Sequence, residues 1–178
     1  MKLRAGAAFF LMILMVAISV VIGAYRGWNE ERAMVKETRA GLEEMLQARV
    51  ESAYNVLTVA GRHLPQDQEA VLRLRAARDM LEGRASLSEK AAANEELTRA
   101  AQDVLSLLVQ AESVQKDSRD KMYAESYLPQ MLAQSEEKTA GAQYNIAAAQ
   151  FNERLNASFS GKIAALLGID MAEEFIAP

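Results

Sequence analysis

The stretch LEEMLQARVESAYNVLTVAGRHL, residues 42–64, decides the fold class of this chain. Apolar side chains recur in it at steps of four and three residues, which places them along one face of an α-helix. No proline occurs between Trp28 and the end of this stretch, so the helix can begin well before it. We predict one long amphipathic helix whose apolar row is formed by Leu42, Leu46, Val50, Ala53, Leu57, Ala60 and Leu64.

The composition favours helix in the rest of the chain as well. Aromatic residues make up 6% of the 178 residues and proline occurs only three times. Ala, Leu, Glu, Gln, Arg and Met are abundant, and these side chains lose little rotamer freedom in a helix. The length suits one domain. We therefore predict an all-α fold and exclude an all-β one.

Three further amphipathic segments follow the first. Pro65 and Asp67 suit the opening of a short second helix that ends at Gly83, and Ser86 with Glu89 has the spacing of a capping box for the third. Pro129 lies near the start of the last segment or at a kink in it. Helices with short connections pack antiparallel. The predicted apolar stripes are Ala70, Leu74, Ala77 and Leu81, then Leu97, Ala101, Val104, Leu108 and Ala111, then Ala140, Tyr144, Ala147, Phe151 and Leu155.

These segments predict an antiparallel four-helix bundle with coiled-coil-like packing over residues 42–178. The tail SFSGKIAALLGIDMAEEFIAP, which begins at Ser158, is too apolar to stay in solvent. We expect it to fold back as a short C-terminal helix over one end of the bundle, with Gly168 as its stop.

The apolar run AGAAFFLMILMVAISVVIGA, residues 5–24, holds no charged side chain. At about 1.5 Å per residue its length matches the hydrocarbon core of a bilayer, roughly 30 Å. We predict that residues 1–27 form an N-terminal membrane anchor that contacts lipid through residues 5–24, with Tyr25 and Trp28 at headgroup level. A cleaved signal peptide is the alternative, because a short basic region precedes the run and small residues end it.

The mostly polar residues 28–41 predict a helical stalk that is continuous with the first bundle helix. Basic residues flank the anchor on both sides, and a plain count of them favours a cytoplasmic domain. Against that count, a basic N-terminus followed at once by an apolar run is typical of a signal anchor, and long domains translocate largely regardless of charge. We favour a single-pass protein of the cell membrane with its bundle outside the cytoplasm.

The residue inventory leaves little material for catalysis. The chain has no Cys and one His, which excludes disulfides, thiolate metal sites and the usual di-iron bundle site. Its glycines are scattered singly, and its net charge of −4 comes without a basic block, so neither nucleotides nor nucleic acids are expected partners. We predict a protein that is not an enzyme, with no catalytic, cofactor-binding or metal-binding residues.

Two polar features of the helices remain candidates for a site. Asn145 and Asn152 are seven residues apart and share one helix face, where they could recognise a partner helix or fix the register of a neighbouring helix within the chain. Asn55 and Gln47 are the facing residues we expect in the second case. His63 ends the first helix, where a cation suits the helix dipole, and a hydrolase would need a nucleophile and an acid beside it that the sequence does not mark.

Two stretches at opposite ends of the domain resemble the LemA family. LQARVESAYNVLTVAGRHL (46–64) is similar to the first-helix motif of that family, and YNIAAAQFN (144–152) followed by NASFSGKIAALLGI (156–169) is similar to its C-terminal motifs. The chain departs from the family pattern at Tyr54, Gly141, Ser160 and Ile169. The matching positions are Leu46, Gln47, Arg49, Asn55, Leu57, Tyr144, Asn145, Phe151, Asn152, Phe159, Ile163, Ala164 and Gly168.

The resemblance implies a bacterial single-pass membrane protein with a four-helix bundle, no established enzymatic activity and no agreed cofactor. Family members are often encoded near membrane proteases or envelope proteins. We therefore expect a scaffold or accessory module of the bacterial envelope whose partner is another membrane or envelope protein; a homo-oligomer stays open. The expected interaction surface is the outer face of the long helices or the tail patch around Phe159 and Leu167. The alternative is a sensor-like signal-input domain coupled to its membrane helix.

Overall fold

The computed structural model of the protein describes residues 2–136 and 138–178, and every regular element in those ranges is helical. The predicted all-α class is confirmed. Met1, which opens the predicted anchor, lies outside the described residues. The helices are α1 (Lys2–His63), α2 (Glu69–Glu82), α3 (Leu87–Gln110), α4 (Glu112–Lys116), α5 (Ser118–Met122), a π-helical segment (Tyr123–Tyr127), α6 (Leu128–Ser135), α7 (Lys138–Ala157) and α8 (Phe159–Leu166).

Helix α1 runs without a break from the apolar run to His63. Residues 6–23 of the apolar run are exposed, and α1 is long and apolar enough to cross a membrane, a property that an N-terminal signal sequence shares. Beyond the run, most of the predicted row is buried, together with two valines that the row left out. The buried row residues are Leu42, Leu46, Val50, Ala53 and Ala60, and the added ones are Val56 and Val59.

The chain forms two compact units. The first unit comprises the described residues through Thr38 together with Ile146–Ala172, and the second comprises Arg39–Asn145 and Glu173–Pro178. In the first unit the Trp28 indole is only 6% exposed and meets the Phe151 ring edge to face at 5.7 Å. Val35 is also buried. The predicted stalk is therefore helical but packed on one side, and Trp28 does not present its ring to lipid headgroups as expected.

The start of α3 follows the sequence prediction closely. The Ser86 hydroxyl accepts a hydrogen bond from the backbone N–H of Glu89 at 3.2 Å, and the Glu89 carboxylate accepts one from the backbone N–H of Ser86 at 2.8 Å. Hydrogen bonding to Ser86 lowers the pKa of Glu89. The predicted capping box is confirmed, and it fixes where the chain enters α3.

Between α3 and α7 the structure differs from the prediction. The expected last long helix is preceded by short helices, and Pro129 is the second residue of α6, directly after the π-helical segment. Asp117 causes one of these breaks, because its carboxylate accepts the backbone N–H groups of Arg119 and Asp120 and so starts α5. Helix α7 begins at Lys138.

The C-terminal region is confirmed in part. Helix α8 forms where a short helix was expected, and Gly168 follows it with φ +86°, the left-handed conformation that suits a helix stop. From Ile169 onward the chain has no regular structure. The expected burial of the tail is wrong for Phe159 and Leu166, which are 78% and 88% exposed.

Arg49 of α1 is fully buried in the second unit. Its Nε donates to Asn94 Oδ1 at 2.9 Å, and its Nη2 donates to the Thr98 hydroxyl and to the Asn94 carbonyl. Its Nη1 donates to the Leu132 carbonyl at 3.4 Å. Asn94 and Thr98 lie on α3 and Leu132 lies on α6. A single guanidinium therefore joins three helices.

Burial lowers the pKa of Arg49, and the charge of Glu136 opposes that shift. Removing a cation from water costs free energy unless its donors are satisfied. The planar guanidinium has five donors in a fixed fork, so it can bond acceptors on two helices at once. The hydrogen bonds to α3 and α6 offset the cost of burial and specify how these helices meet α1.

Replacing Arg49 by Ala should lower the free energy of unfolding by about 3 to 5 kcal/mol, because it leaves a cavity and removes the hydrogen bonds that join α1 to α3 and α6. Urea unfolding of the full-length chain in detergent micelles, followed by helical circular dichroism, measures the change. Arg99→Ala is the matched control, since Arg99 is exposed and its ion pairs with Glu95 and Glu96 are each worth less than about 1 kcal/mol. Equal losses in the two variants would contradict the role of Arg49.

Candidate functional site

The second unit holds part of its own C-terminal segment through side chains of α7. The Asn145 amide donates from Nδ2 to the Phe175 carbonyl at 2.8 Å, and its Oδ1 accepts the Phe175 N–H at 2.7 Å. The Tyr144 hydroxyl donates to the Glu173 carbonyl. We call Tyr144, Asn145 and the segment Glu173–Phe175 the clasp. Both polar backbone groups of Phe175 are satisfied by one side chain, as they would be by a neighbouring β-strand.

Two further features shape the clasp. Gly141 lies one turn before Asn145 on α7, and a Cβ there would lie 3.4 Å from the Phe175 ring, so the ring packs directly beside this position. The Glu173 carboxylate accepts the backbone N–H of Leu87 at 2.7 Å. Leu87 is the first residue of α3, where N–H groups lack helical partners and a negative charge is favoured. The Glu173–Phe175 segment is thus held through the Glu173 carboxylate and the Phe175 ring as well as through its backbone.

The first unit contains a similar pair. The Asn152 amide donates to the Ala172 carbonyl at 2.9 Å, and its oxygen accepts the Ala172 N–H at 2.7 Å. Asn145 and Asn152 therefore both bind backbone of the C-terminal segment. Of the two alternatives in the sequence, the structure shows a role within the chain, and the partner of each Asn is irregular backbone instead of a helix.

The predicted facing residues are wrong. The Asn55 amide nitrogen lies 3.6 Å from the Met131 sulfur, and Gln47 donates to Glu51 on its own helix at 3.4 Å. The sequence could not locate the true partners, because the tail contacts use backbone groups that every residue carries. The sequence carried one related signal: the residues after Gly168 have no helical pattern long enough to form another helix, so their backbone groups need other partners.

His63 is the last residue of α1, as predicted, and it takes part in a polar cluster that the sequence did not reveal. Its Nε2 lies 2.7 Å from Asp120 Oδ2, and its Nδ1 lies 3.0 Å from the Ser113 hydroxyl. The Asp120 side chain is buried, and Arg62 forms an ion pair with its second oxygen at 3.2 Å. The cluster joins the end of α1 to α4 and α5.

Ser113, His63 and Asp120 are joined in this order, as a nucleophile, a base and an orienting acid are joined in some hydrolases. The cluster also has the features of a structural joint, because a buried carboxylate needs partners and the cation of Arg62 suits the C-terminal end of a helix. Among residues 2–136 and 138–178, no group of three or more His, Asp or Glu side chains is arranged to hold a metal ion.

An open concavity of about 520 Å³ lies in the first unit, where the apolar run of α1 ends. Small residues on α1 form one wall, and the other wall comes from the end of α7 and the start of α8. Trp28 donates from its indole nitrogen to the Ser160 hydroxyl at 3.4 Å, and Arg154 forms an ion pair with Glu31 at 2.7 Å. The lining includes Gly23, Ala24, Gly27, Arg154, Ser158 and Ser160.

No known family model matches the chain, and no curated protein matches it. The chemistry of its sites therefore has to be argued from the residues themselves.

Replacing Asn145 by Leu should release the Glu173–Phe175 segment without unfolding the unit. The loss of two hydrogen bonds, each worth about 0.5 to 1.5 kcal/mol, predicts a rise of about tenfold or more in the hydrogen-exchange rate of the Phe175 amide. Exchange at single-residue resolution measures this directly. Asn55→Leu is the control, because Asn55 is exposed and holds no backbone. An unchanged rate in Asn145→Leu would show that the tail is held by other contacts.

The clasp should also depend on pH through Tyr144. Burial raises the pKa of its phenol, Arg39 opposes the shift, and Glu173 and two other carboxylates add to it. A raised pKa means that the folded state resists loss of the proton. The contribution to stability is therefore complete below about pH 10, the ordinary tyrosine value, and is lost as the pH rises through the higher folded value.

We accordingly expect the free energy of unfolding to fall more steeply above about pH 10 in the parent chain than in Tyr144→Phe, which has no proton to lose. Urea titrations at a series of alkaline pH values provide the measurement. Tyr54→Phe serves as the control, since Tyr54 is exposed. Identical slopes for the parent chain and Tyr144→Phe would refute a buried, titrating phenol.

Proposed function

We propose that the chain is a membrane-anchored, non-enzymatic protein of the LemA type that serves as a scaffold or accessory module in the bacterial envelope. In this proposal residues 5–24 cross the bilayer once and the rest of the chain forms an antiparallel helical bundle outside the cytoplasm. The partner is another membrane or envelope protein. One observation carries the proposal: residues 6–23 of the apolar run are exposed, while the helices beyond the run bury an apolar core of their own.

Leaving the apolar side chains of that run in water costs free energy. Side chains such as Phe10, Met15 and Ile22 are exposed on all faces of α1. A helix that is apolar all round needs an apolar environment on every side, and an exposed patch of this size is typical of a membrane or partner contact. The length of the run fits the bilayer, and its backbone groups are hydrogen-bonded within the helix.

The polar residues support binding over catalysis. His63, Ser113 and Asp120 are each engaged where short helices meet the end of α1, which suits a joint that keeps α4 and α5 in place. The clasp, by contrast, shows that side chains of α7 bind an irregular segment through its backbone. Recognition of extended backbone is a common basis of protein interaction. These features favour a protein that binds other proteins.

The resemblance to the LemA family supports this proposal, because several of the matching residues have identifiable structural roles. Arg49 is the buried guanidinium, and Asn145 and Asn152 bind the tail. Gly168 has the positive φ that ends α8. Three of the positions that the resemblance picks out, Arg49, Asn145 and Asn152, thus make polar contacts that hold distant parts of the chain.

A second candidate function is a signal-input domain. The observation in its favour is that α1 continues without a break from the apolar run to His63, so one helix links the membrane segment to the residues that contact α1. It differs from a scaffold in requiring a ligand or a dimer contact that alters α1. Cross-linking through a Cys at the exposed Met34 detects such a dimer in native membranes.

The anchor and its orientation can be tested together because the chain has no Cys. Asp67 is exposed in the turn between α1 and α2, so Asp67→Cys provides one accessible thiol. We expect a membrane-impermeant maleimide to label this variant in intact bacterial cells. The labelled protein should stay in the membrane pellet after an alkaline wash, and its intact mass should be that of the full-length chain.

Ala101→Cys, at a fully buried position of α3, is the matched control and should react only after denaturation. Labelling of Asp67→Cys only in lysed cells would reverse the orientation. A soluble product whose mass lacks the apolar run would overturn the anchor in favour of a cleaved signal peptide.

A further inference from the structure

Helix α8 carries apolar side chains that the fold leaves in solvent. Phe159 and Leu166 are 78% and 88% exposed, and Lys162 is exposed between them. The three residues lie at positions i, i+3 and i+7, so they share one face of the helix. We call Phe159, Lys162 and Leu166 the α8 face. The opposite side of the helix is buried through Gly161 and Ala164.

The orientation of α8 is fixed by close packing. A Cβ at Gly161 would overlap the carbonyl oxygen of Leu155, so the backbone of α8 lies directly against the end of α7. The Ser158 hydroxyl accepts the Gly161 N–H at 2.9 Å and caps the helix. These contacts place the Gly161 side of α8 against α7 and leave Phe159 and Leu166 on the outer side of the helix.

The position of α8 within the first unit decides what this face meets. Trp28 of α1 donates to Ser160 in the first turn of α8. Ser158 and Ser160 line the same concavity as Gly23 and Ala24, the last residues of the apolar run. The N-terminal end of α8 therefore lies beside the point where the apolar run ends. For a membrane-spanning α1, that point is the level of the lipid headgroups.

We propose that the α8 face is a membrane-interface contact that lies in the headgroup region of the same bilayer that α1 crosses. This inference rests on the proposed membrane span. Phe159 and Leu166 would enter the outer part of the acyl chains, and Lys162 would reach the phosphates on its apolar stem. Interfacial helices have this combination of aromatic and aliphatic side chains with a cation. The contact fixes the first unit against the membrane surface at a second point.

The test uses single Cys variants of the full-length, otherwise Cys-free chain, labelled with an environment-sensitive fluorophore and reconstituted in vesicles of phosphatidylcholine and phosphatidylglycerol. Phe159→Cys and Leu166→Cys report on the α8 face. Leu14→Cys, near the middle of the apolar run, reports on the membrane span. Leu72→Cys is the matched control, because Leu72 is an apolar residue of α2 that is 46% exposed. Circular dichroism checks that each variant is folded.

Quenching by lipids with bromine near the headgroup should be several times stronger at positions 159 and 166 than at position 72. Bromine near the chain ends should quench position 14 most strongly. If position 14 is quenched and positions 159 and 166 behave like position 72, the α8 contact is refuted while the span stands. If position 14 is not quenched by either lipid, the span itself fails and the α8 contact fails with it.

Discussion

The buried guanidinium of Arg49 is the constraint on which the second unit depends. A cation removed from water must have its donors satisfied, and the acceptors that satisfy this one lie on α3 and α6. Apolar packing alone tolerates some sliding and rotation of one helix against another. Directed hydrogen bonds from a planar group do not, because each acceptor has to lie where the fork of donors points. The relative register of α1, α3 and α6 follows from that geometry.

The same principle operates on the irregular end of the chain. Backbone groups of the tail have no helical or sheet partners, so they need side chains to bond them. Asn145 and Asn152 supply both a donor and an acceptor in the right spacing, and Tyr144 and the first N–H of α3 add two more contacts. Polar side chains on α7 thus form hydrogen bonds with the tail backbone, as a neighbouring strand does in a sheet. An ordered segment results without regular secondary structure.

The proposed function unites these elements with the apolar run. A scaffold needs a fixed attachment and a rigid surface, and it needs no chemistry of its own. Within the described residues, the apolar part of α1 and the face of α8 are two apolar surfaces that the fold leaves exposed. Buried polar joints, such as Asp120 with Arg62 and His63, hold short helices that apolar packing alone would hold poorly.

Local patterns determined much of the architecture. Periodicity predicted the part of α1 beyond the apolar run and the body of α2, although α2 begins at Glu69 and not at Pro65–Asp67. The Ser86–Glu89 spacing predicted the start of α3, and Gly168 predicted the end of α8. These signals work because helix amphipathicity and capping depend on residues within a few positions of one another. The twenty uncharged residues likewise marked the apolar run by composition and length alone. Local sequence was therefore enough to establish the all-α class and the longer helices, but it did not reveal the short helices between α3 and α7.

Only the tertiary structure decided the partners of the polar side chains. Arg49 bonds residues about 45 and 83 positions away in the chain, and Asn145 bonds a carbonyl 30 positions away. No local pattern encodes such a pairing, since the acceptors are mostly backbone groups that carry no sequence signature. The same reason explains why Trp28 appeared suited to lipid headgroups but packs on Phe151, and why Phe159 appeared suited to the core but is exposed. The burial of Trp28 and the exposure of Phe159 both depend on which helices pack against these residues in the folded chain.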